Sequence, residues 1–153
     1  MTYCVALRLD QGLLFMSDTR TNAGVDNIST FRKMFNWSVE GDRVITILTA
    51  GNLATTQAVV SLLNERSVIP ADRKQTLLAA PTMFQVARLV GDTLKEVIHS
   101  QAEEGQTAES TFGATMIVGG QIRGMEPRLF LVYPEGNFIE ASNETPFFQA
   151  GET

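Results

Sequence analysis

Several residue types and patterns are scarce in this sequence. Its 153 residues include one cysteine and one histidine, and no apolar run approaches the roughly 18–20 residues of a transmembrane helix. A single cysteine excludes an internal disulfide, and with one histidine it argues against a Cys/His zinc site. The first residues lack the basic and then apolar pattern of a secretory leader. These absences favour a reducing, cytoplasmic setting, with no membrane span, no metal and no other cofactor.

Charge and composition further restrict the class of protein to which this sequence can belong. The net charge of −5 argues against nucleic acid or an anionic membrane as partner. A hydrophobic fraction of 44% with 19% charged residues fits a globular protein that buries a sizeable core. At this length we expect a single domain over residues 1–153. Phe147 and Phe148, close to the last residue, have the pattern of a strand interior, so we expect the sequence to continue in a longer protein.

The apolar pattern changes from strands to helices and back to strands. It predicts hairpins over residues 3–17 and 31–48, helices over residues 53–65 and from residue 82, and strands over residues 111–118, 128–133 and 138–140. Thr82 and Gln85 form a capping box at the second helix. We interpret residues 21–29 as a loop, and Gly119-Gly120 as the end of a strand. The order indicates an α+β fold in which two helices cover an antiparallel sheet.

The open end of the first hairpin gathers chemically useful side chains. A three-residue turn at residues 10–12 would place Thr2 opposite Arg20, with Asp18 diagonal to Thr2. Directly opposed residues share a face of the sheet. This register therefore predicts a cluster of Thr2, Cys4, Asp18 and Arg20 on one face.

Thr2 follows the initiator methionine, which is usually removed before a small residue. Removal would leave Thr2 with a free α-amine, whose ordinary pKa of about 7.7–8.0 suits a general base. An N-terminal threonine that uses its own amine is a known type of nucleophile. The alternative is that Thr2 only begins an edge strand and that residues 18–20 form its solvated end.

Two further residues are candidates for the same site. Lys33 lies between apolar neighbours and would supply a positive charge beside Asp18. Alternatively, Lys33 is an edge-strand lysine that discourages aggregation, and Arg32 is the residue that points inward. Gly51 lies between a buried strand and a helix N-terminus, where its N–H could serve in an oxyanion hole or belong to an ordinary turn.

Taken together, these segments resemble the proteasome β-subunit type of N-terminal nucleophile hydrolase. The matching pieces are Thr2 after Met1, residues 17–20, the Gly24 loop with Ser29, residues 31–33 and residues 49–51. The amino-acid sequence of residues 17–26 is most similar to that of Anbu, the bacterial proteasome-related β-subunit family. The resemblance implies an αββα four-layer sandwich, of which the C-terminal part is missing from this chain.

The resemblance also implies roles for individual residues. Thr2 would be the nucleophile and its freed amine the general base, with Asp18 and Lys33 as orienting charges. Gly51 N–H would be the oxyanion donor and Arg20 would support Asp18. Thr21 and Thr49 would border the pocket for the substrate side chain.

The function implied is that of a threonine-type peptidase acting on peptide or unfolded protein. Family members are homo-oligomers in which dimers build rings or open spirals, and they need no cofactor. Two alternatives stay open. One is a catalytically silent assembly subunit of the same fold, and the other is an amidase with a non-peptide substrate.

Overall fold

A computed structural model describes residues 2–22, 28–68, 76–102 and 112–151 of the protein. The expected α+β class is confirmed. The elements in chain order are β1 (Tyr3–Leu9), β2 (Gly12–Ser17), β3 (Arg20–Asn22), β4 (Ile28–Thr30), β5 (Met34–Val39), β6 (Arg43–Gly51), α1 (Leu53–Val68), α2 (Met83–Gln101), β7 (Ala114–Ile122), β8 (Arg128–Val132), β9 (Phe138–Glu140) and β10 (Phe147–Gly151).

Over the residues that the structure describes, the strands form two facing sheets and one small hairpin. The larger sheet is antiparallel with the order β5-β6-β7-β8-β9, the smaller has the order β10-β1-β2, and β3 pairs with β4. Helices α1 and α2 pack on one face of the larger sheet, and the smaller sheet packs on its other face. The described residues therefore stack as helices, sheet and sheet.

Two apolar cores follow from this stacking. The helix core lies between the helices and the larger sheet, and its bulkiest members include Ile45, Leu63, Met83, Leu94, Met116 and Phe130. The sheet core lies between the two sheets and consists of Cys4, Ala6, Leu48, Ile117, Leu129, Ala141 and Phe148. Strands β6 and β7 are apolar on both faces because each face is covered by one of these cores.

The helix starts agree closely with the sequence pattern. Thr82 is the N-cap of α2, and its hydroxyl oxygen accepts the Gln85 N–H at 3.2 Å. Helix α1 begins at Leu53 as expected and continues to Val68, three residues past the predicted end. The Asn52 side-chain oxygen accepts the Thr55 N–H at 3.0 Å, so α1 also has a side-chain cap.

The predicted register of the first hairpin is wrong by one residue. Leu9 pairs with Gly12, and the turn is therefore two residues long, at residues 10–11. Gly12 adopts its positive φ of 147° inside the ladder instead of in the turn. As a result Cys4 lies opposite Ser17, and Asp18 comes level with Tyr3, to whose carbonyl oxygen it donates its N–H at 3.1 Å.

The interpretation of Gly119-Gly120 as a strand end is also wrong, because β7 runs through both residues to Ile122. A Cβ atom on Gly119 would lie 2.6 Å from the Phe15 ring, whereas one on Gly120 would overlap the Val44 carbonyl oxygen of the neighbouring strand β6. Gly119 is therefore a site where the smaller sheet approaches the central strand closely, and Gly120 is one where the backbone of β6 does.

Other boundaries differ locally. Residues 21–29 were expected as a loop, but β3 and β4 pair there, with Thr21 opposite Ser29. Strand β5 begins at Met34, three residues later than predicted. Gly24, most of the acidic segment after α2 and the predicted strand start at residue 111 lie outside the described residues. Neither α1 nor α2 is long and apolar enough to cross a bilayer.

Candidate active site

The candidate site lies at the open end of β1, beside the sheet core. Asp18 follows the last residue of β2, and its carboxylate oxygen Oδ1 accepts the Tyr3 N–H at 2.9 Å. That N–H belongs to the peptide bond that joins Thr2 to Tyr3. Asp18 therefore anchors the backbone that carries Thr2, although not through the register expected from the sequence.

Lys33 is the charged partner of Asp18. Its ammonium nitrogen Nζ lies 2.9 Å from both carboxylate oxygens of Asp18, and it also donates to the Arg20 carbonyl oxygen. Lys33 is only 5% exposed. A buried ammonium group requires several acceptors to offset its lost hydration. The structure thus favours Lys33, not the exposed Arg32, as the inward-pointing residue.

The electrostatics favour an ionised carboxylate at Asp18. Partial burial raises the pKa of Asp18, but hydrogen bonds from the Tyr3 N–H, the Lys33 ammonium group and the Arg20 N–H lower it more. The net result is a pKa below the ordinary value of an aspartate. The Asp18 carboxyl group is therefore ionised at neutral pH.

Arg20 contributes through its main chain. Its N–H donates to Asp18 Oδ2 at 3.1 Å, and its carbonyl oxygen accepts from Lys33. The family resemblance implies support of Asp18 by Arg20 without saying which of its groups provides it. Thr21 follows Arg20 on β3 and is half-buried.

Thr49 and Cys4 join the two sheets beneath the charged pair. The Thr49 N–H donates to the Lys33 carbonyl oxygen at 2.9 Å, and the Cys4 thiol donates to the Thr49 carbonyl oxygen at 3.5 Å. Burial, reinforced by Asp18 and opposed by Lys33, raises the pKa of Cys4 to about 11. The thiol is therefore protonated at neutral pH and serves as a buried tether, not as a nucleophile.

Gly51 ends β6, two residues after Thr49. Its φ is +116°, and a Cβ atom at this position would lie 2.7 Å from the Gly113 carbonyl oxygen. Only glycine fits both conditions. Asn52 and the first turn of α1 follow at once, so N–H groups of the helix start lie next to Gly51 in the chain.

The structure thus brings Asp18, Lys33 and the main chain of Arg20 into direct contact. Thr2 is adjacent through the Tyr3 N–H, and Thr49 is adjacent through Lys33. Gly51 and Thr21 lie next to this network along the chain. Across the described ranges, no group of three or more His, Cys, Asp or Glu residues could hold a metal ion.

Comparison with known proteins identifies relatives among solved structures. Anbu from Yersinia bercovieri is 48% identical with a TM-score of 0.90, and the match covers 98% of this chain and 60% of that one. Anbu from Hyphomicrobium sp. strain MC1 is 52% identical (TM-score 0.86, coverage 98% and 60%). The helical assembly of the Anbu complex from Pseudomonas aeruginosa is 44% identical (TM-score 0.89, coverage 98% and 61%). No family model and no curated protein matches the sequence.

The layered α+β fold and these relatives place the chain in the class of proteasome-related β-subunits. Over the part that it spans, the chain belongs to the Anbu family. It covers about 60% of the length of the solved relatives.

Proposed function

We propose that this chain is a threonine-type peptidase subunit that hydrolyses peptide bonds with Thr2 as nucleophile, after removal of Met1. The observation that carries the proposal is the buried Lys33 ammonium group, 2.9 Å from both oxygens of Asp18, whose carboxylate in turn holds the Thr2–Tyr3 peptide. Burying the Lys33 ammonium group is costly. A charged pair that anchors the Thr2–Tyr3 peptide, immediately before the first strand, supports a chemical role for Thr2.

The proposed reaction follows from these groups. The Thr2 hydroxyl would pass its proton to the freed α-amine while its oxygen bonds to the substrate carbonyl carbon. Gly51 N–H would stabilise the resulting oxyanion. The amine would return the proton to the leaving nitrogen as the C–N bond breaks, which leaves an ester on Thr2. Water would then attack the ester, with the amine again taking and returning a proton.

The charged pair would support this cycle electrostatically. The Lys33 ammonium group would favour the neutral form of the nearby amine and the developing alkoxide of Thr2. Asp18 would keep Lys33 in place and fix the direction of the Thr2 backbone. Thr21 and Thr49 are the proposed borders of the pocket for the substrate side chain.

The complete fold is proposed to be an αββα four-layer sandwich. Tyr3, Leu14, Met16 and Phe147 are 45–57% exposed on the outer face of the smaller sheet, where neither α1 nor α2 packs. A sheet face this apolar requires cover. The relatives are longer than this chain, so the proposed cover is a helical layer from the rest of the protein.

The proposed assembly is a homo-oligomer in which dimers build rings or open spirals that enclose the sites. A helical assembly is described for Anbu from Pseudomonas aeruginosa, which is 44% identical to this chain. The proposed substrate is a peptide or an unfolded protein segment, and the proposed location is the cytoplasm.

The test combines processing with labelling. The full chain is purified, its N-terminal residue is identified by mass spectrometry, and it is treated with a β-lactone, which forms an ester with a reactive hydroxyl group. We expect Met1 to be absent and the ester to form on Thr2. Thr2→Ala should lower peptide hydrolysis by about 10⁴-fold or more, whereas Thr2→Ser should retain labelling because it keeps the hydroxyl group.

Other outcomes distinguish the alternatives. Retained Met1, or an assembled protein that forms no ester, would indicate a silent assembly subunit. Labelling at Thr2 without turnover of any peptide would indicate an amidase with a different substrate. Equal peptide turnover by Thr2→Ala and the natural protein would rule out Thr2 as the nucleophile.

A further inference from the structure

The start of β1 is contacted from two sides. On one side Asp18, which follows β2, bonds to both backbone groups of Tyr3. The Asp18 N–H donates to the Tyr3 carbonyl oxygen, and the Tyr3 N–H donates to the Asp18 carboxylate. In a strand, the backbone groups of successive residues point to opposite neighbours. The backbone nitrogen and carbonyl oxygen of Thr2 therefore point to the other side, toward β10.

Strand β10 reaches this point with a glycine. Gly151 is its last residue and pairs with Tyr3, and its φ is +126°. A Cβ atom on Gly151 would overlap the Thr2 carbonyl oxygen and lie 2.6 Å from the Thr2 carbonyl carbon. Real Cβ atoms do not approach backbone atoms so closely, so any other residue would displace either β10 or Thr2.

We propose that Gly151 is a positioning residue for Thr2: its missing side chain lets β10 close onto the Thr2 carbonyl group and so fixes the direction of the Thr2 amine and hydroxyl. Asp18 holds the N–H of the Thr2–Tyr3 peptide from one side, and Gly151 confines its carbonyl oxygen from the other. This inference rests on the proposed nucleophile role of Thr2. A nucleophile that also acts as its own base needs both groups aligned at once.

The anchoring of β10 explains why the strand would not simply move away. Phe148 is 6% exposed and belongs to the sheet core, and the register places it opposite Ala6. At the far end of the pair, Arg8 N–H donates to the Pro146 carbonyl oxygen at 2.6 Å. With β10 fixed at these points, the residue that yields to a side chain at position 151 is Thr2.

The experiment compares Gly151→Ala with Gly12→Ala in the full chain. Gly12 also has a positive φ, of 147°, but no atom lies within 4 Å of a Cβ built on it. Both changes thus strain the backbone, but only Gly151→Ala introduces a contact with the Thr2 carbonyl group. Two measurements are made: the position of the Thr2–Tyr3 peptide by crystallography, and the rate of Thr2 esterification by the β-lactone.

We expect Gly151→Ala to displace the Thr2 carbonyl oxygen by about 1 Å and to slow esterification by about a hundredfold. In peptide hydrolysis the loss should appear in kcat and not in KM, because Thr21 and Thr49 stay in place. Gly12→Ala should change neither measurement by more than about twofold, since it lies outside the network of Thr2 contacts. An undisplaced Thr2, or a displaced Thr2 that reacts at the natural rate, would overturn the inference.

These measurements separate a failure of the proposed nucleophile role of Thr2 from a failure of the inference about Gly151. If the natural protein forms no ester, the nucleophile role of Thr2 is wrong, whereas the crystallographic comparison still shows whether Gly151 sets the backbone. If Gly151→Ala does not fold, Phe148→Leu replaces it, because it loosens β10 and leaves Gly151 intact. It should slow esterification more than Ile117→Val, a change in the same core on the opposite sheet. Equal rates for these two variants would also overturn the inference.

Discussion

The two cores of this protein differ in what fills them. The helix core is built from large side chains such as Leu94, Met116 and Phe130, all essentially inaccessible to solvent. Small side chains make up three of the seven buried members of the sheet core (Cys4, Ala6 and Ala141) but only three of the nineteen in the helix core. A buried charged group, Lys33, lies at the open end of the sheet core. Large apolar side chains contribute most of the folding free energy. The difference suggests that the helix core stabilises the fold and that the sheet core positions the site.

Small residues are suited to positioning a site for a geometric reason. Where side chains between two sheets are small, backbone groups approach one another, and main-chain atoms become part of the site. Here the main chains of Tyr3, Arg20 and Thr49 all bond to the Asp18–Lys33 pair or to its backbone. Backbone groups are held by the strands on both sides, so they fix charges more rigidly than long side chains do.

Lys33→Met should produce the largest effect and provides the strongest test of this comparison. Methionine fills a similar volume but removes the charge beside Asp18. We expect Thr2 esterification to slow by about 10²–10³-fold, as is typical when one electrostatic contact to a reacting group is lost. The thermal midpoint should fall by only a few degrees, because Asp18 is 34% exposed and water can hydrate it once the ammonium group is removed. The labelling rate and the thermal midpoint are measured on the same sample.

The matched change in the helix core is Leu94→Ala. It removes a fully buried side chain and should cost about 2–5 kcal/mol of stability. The folded protein should still label at the natural rate, since Leu94 belongs to the core remote from Thr2. The proposed division of roles between the two cores would be contradicted by a large stability loss in Lys33→Met. Slow esterification of Thr2 in folded Leu94→Ala would contradict it as well.

The sequence alone predicted those features that depend on local pattern. The N-cap at Thr82, the start of α1 at Leu53 and strand β9 were all predicted at the observed positions. The proximity of Asp18 and Lys33 was expected as well, because the resemblance named both residues. The geometry of their contact could not be derived from the sequence, because the predicted hairpin register was wrong by one residue at Asp18.

The features that were missed depend on contacts between distant parts of the chain. Gly119-Gly120 has the local pattern of a strand end, and glycine in this central strand is explained by the approach of the Phe15 ring and of the Val44 carbonyl oxygen. Gly151 gives no local signal either, because its role depends on β10 pairing with the first strand of the chain. Backbone support from Arg20 leaves no trace in residue type, as every residue except proline carries the same N–H.

The pH dependence of stability provides an intermediate test. The pKa of Asp18 is lower in the folded protein than in the unfolded chain, so its contribution is complete above the unfolded value of about 3.9. That contribution is lost as the pH falls through the folded value. At pH 7, Asp18→Asn should lower the thermal midpoint by roughly 2–4 °C, and the difference should shrink below about pH 4.

The control for this measurement is Asp10→Asn, which removes an exposed carboxylate from the turn at the other end of the same hairpin. It should leave the thermal midpoint nearly unchanged across the pH range. A difference between Asp18→Asn and the natural protein that stays constant down to pH 3 would mean that the carboxylate charge does not stabilise the fold.

The smallest effect is expected for Arg20→Ala, and it tests whether main-chain atoms make the site. Arg20 contacts the charged pair through two backbone groups: its N–H donates to Asp18 Oδ2, and its carbonyl oxygen accepts from Lys33. Alanine at position 20 retains both. Esterification of Thr2 should change by less than about twofold, as is usual for an exposed side chain outside a contact network. Arg20→Pro removes the N–H and should slow the reaction clearly more than Arg20→Ala does. If alanine instead slows it as much as Lys33→Met, the guanidinium group supports Asp18, and the backbone account of the sheet core is wrong.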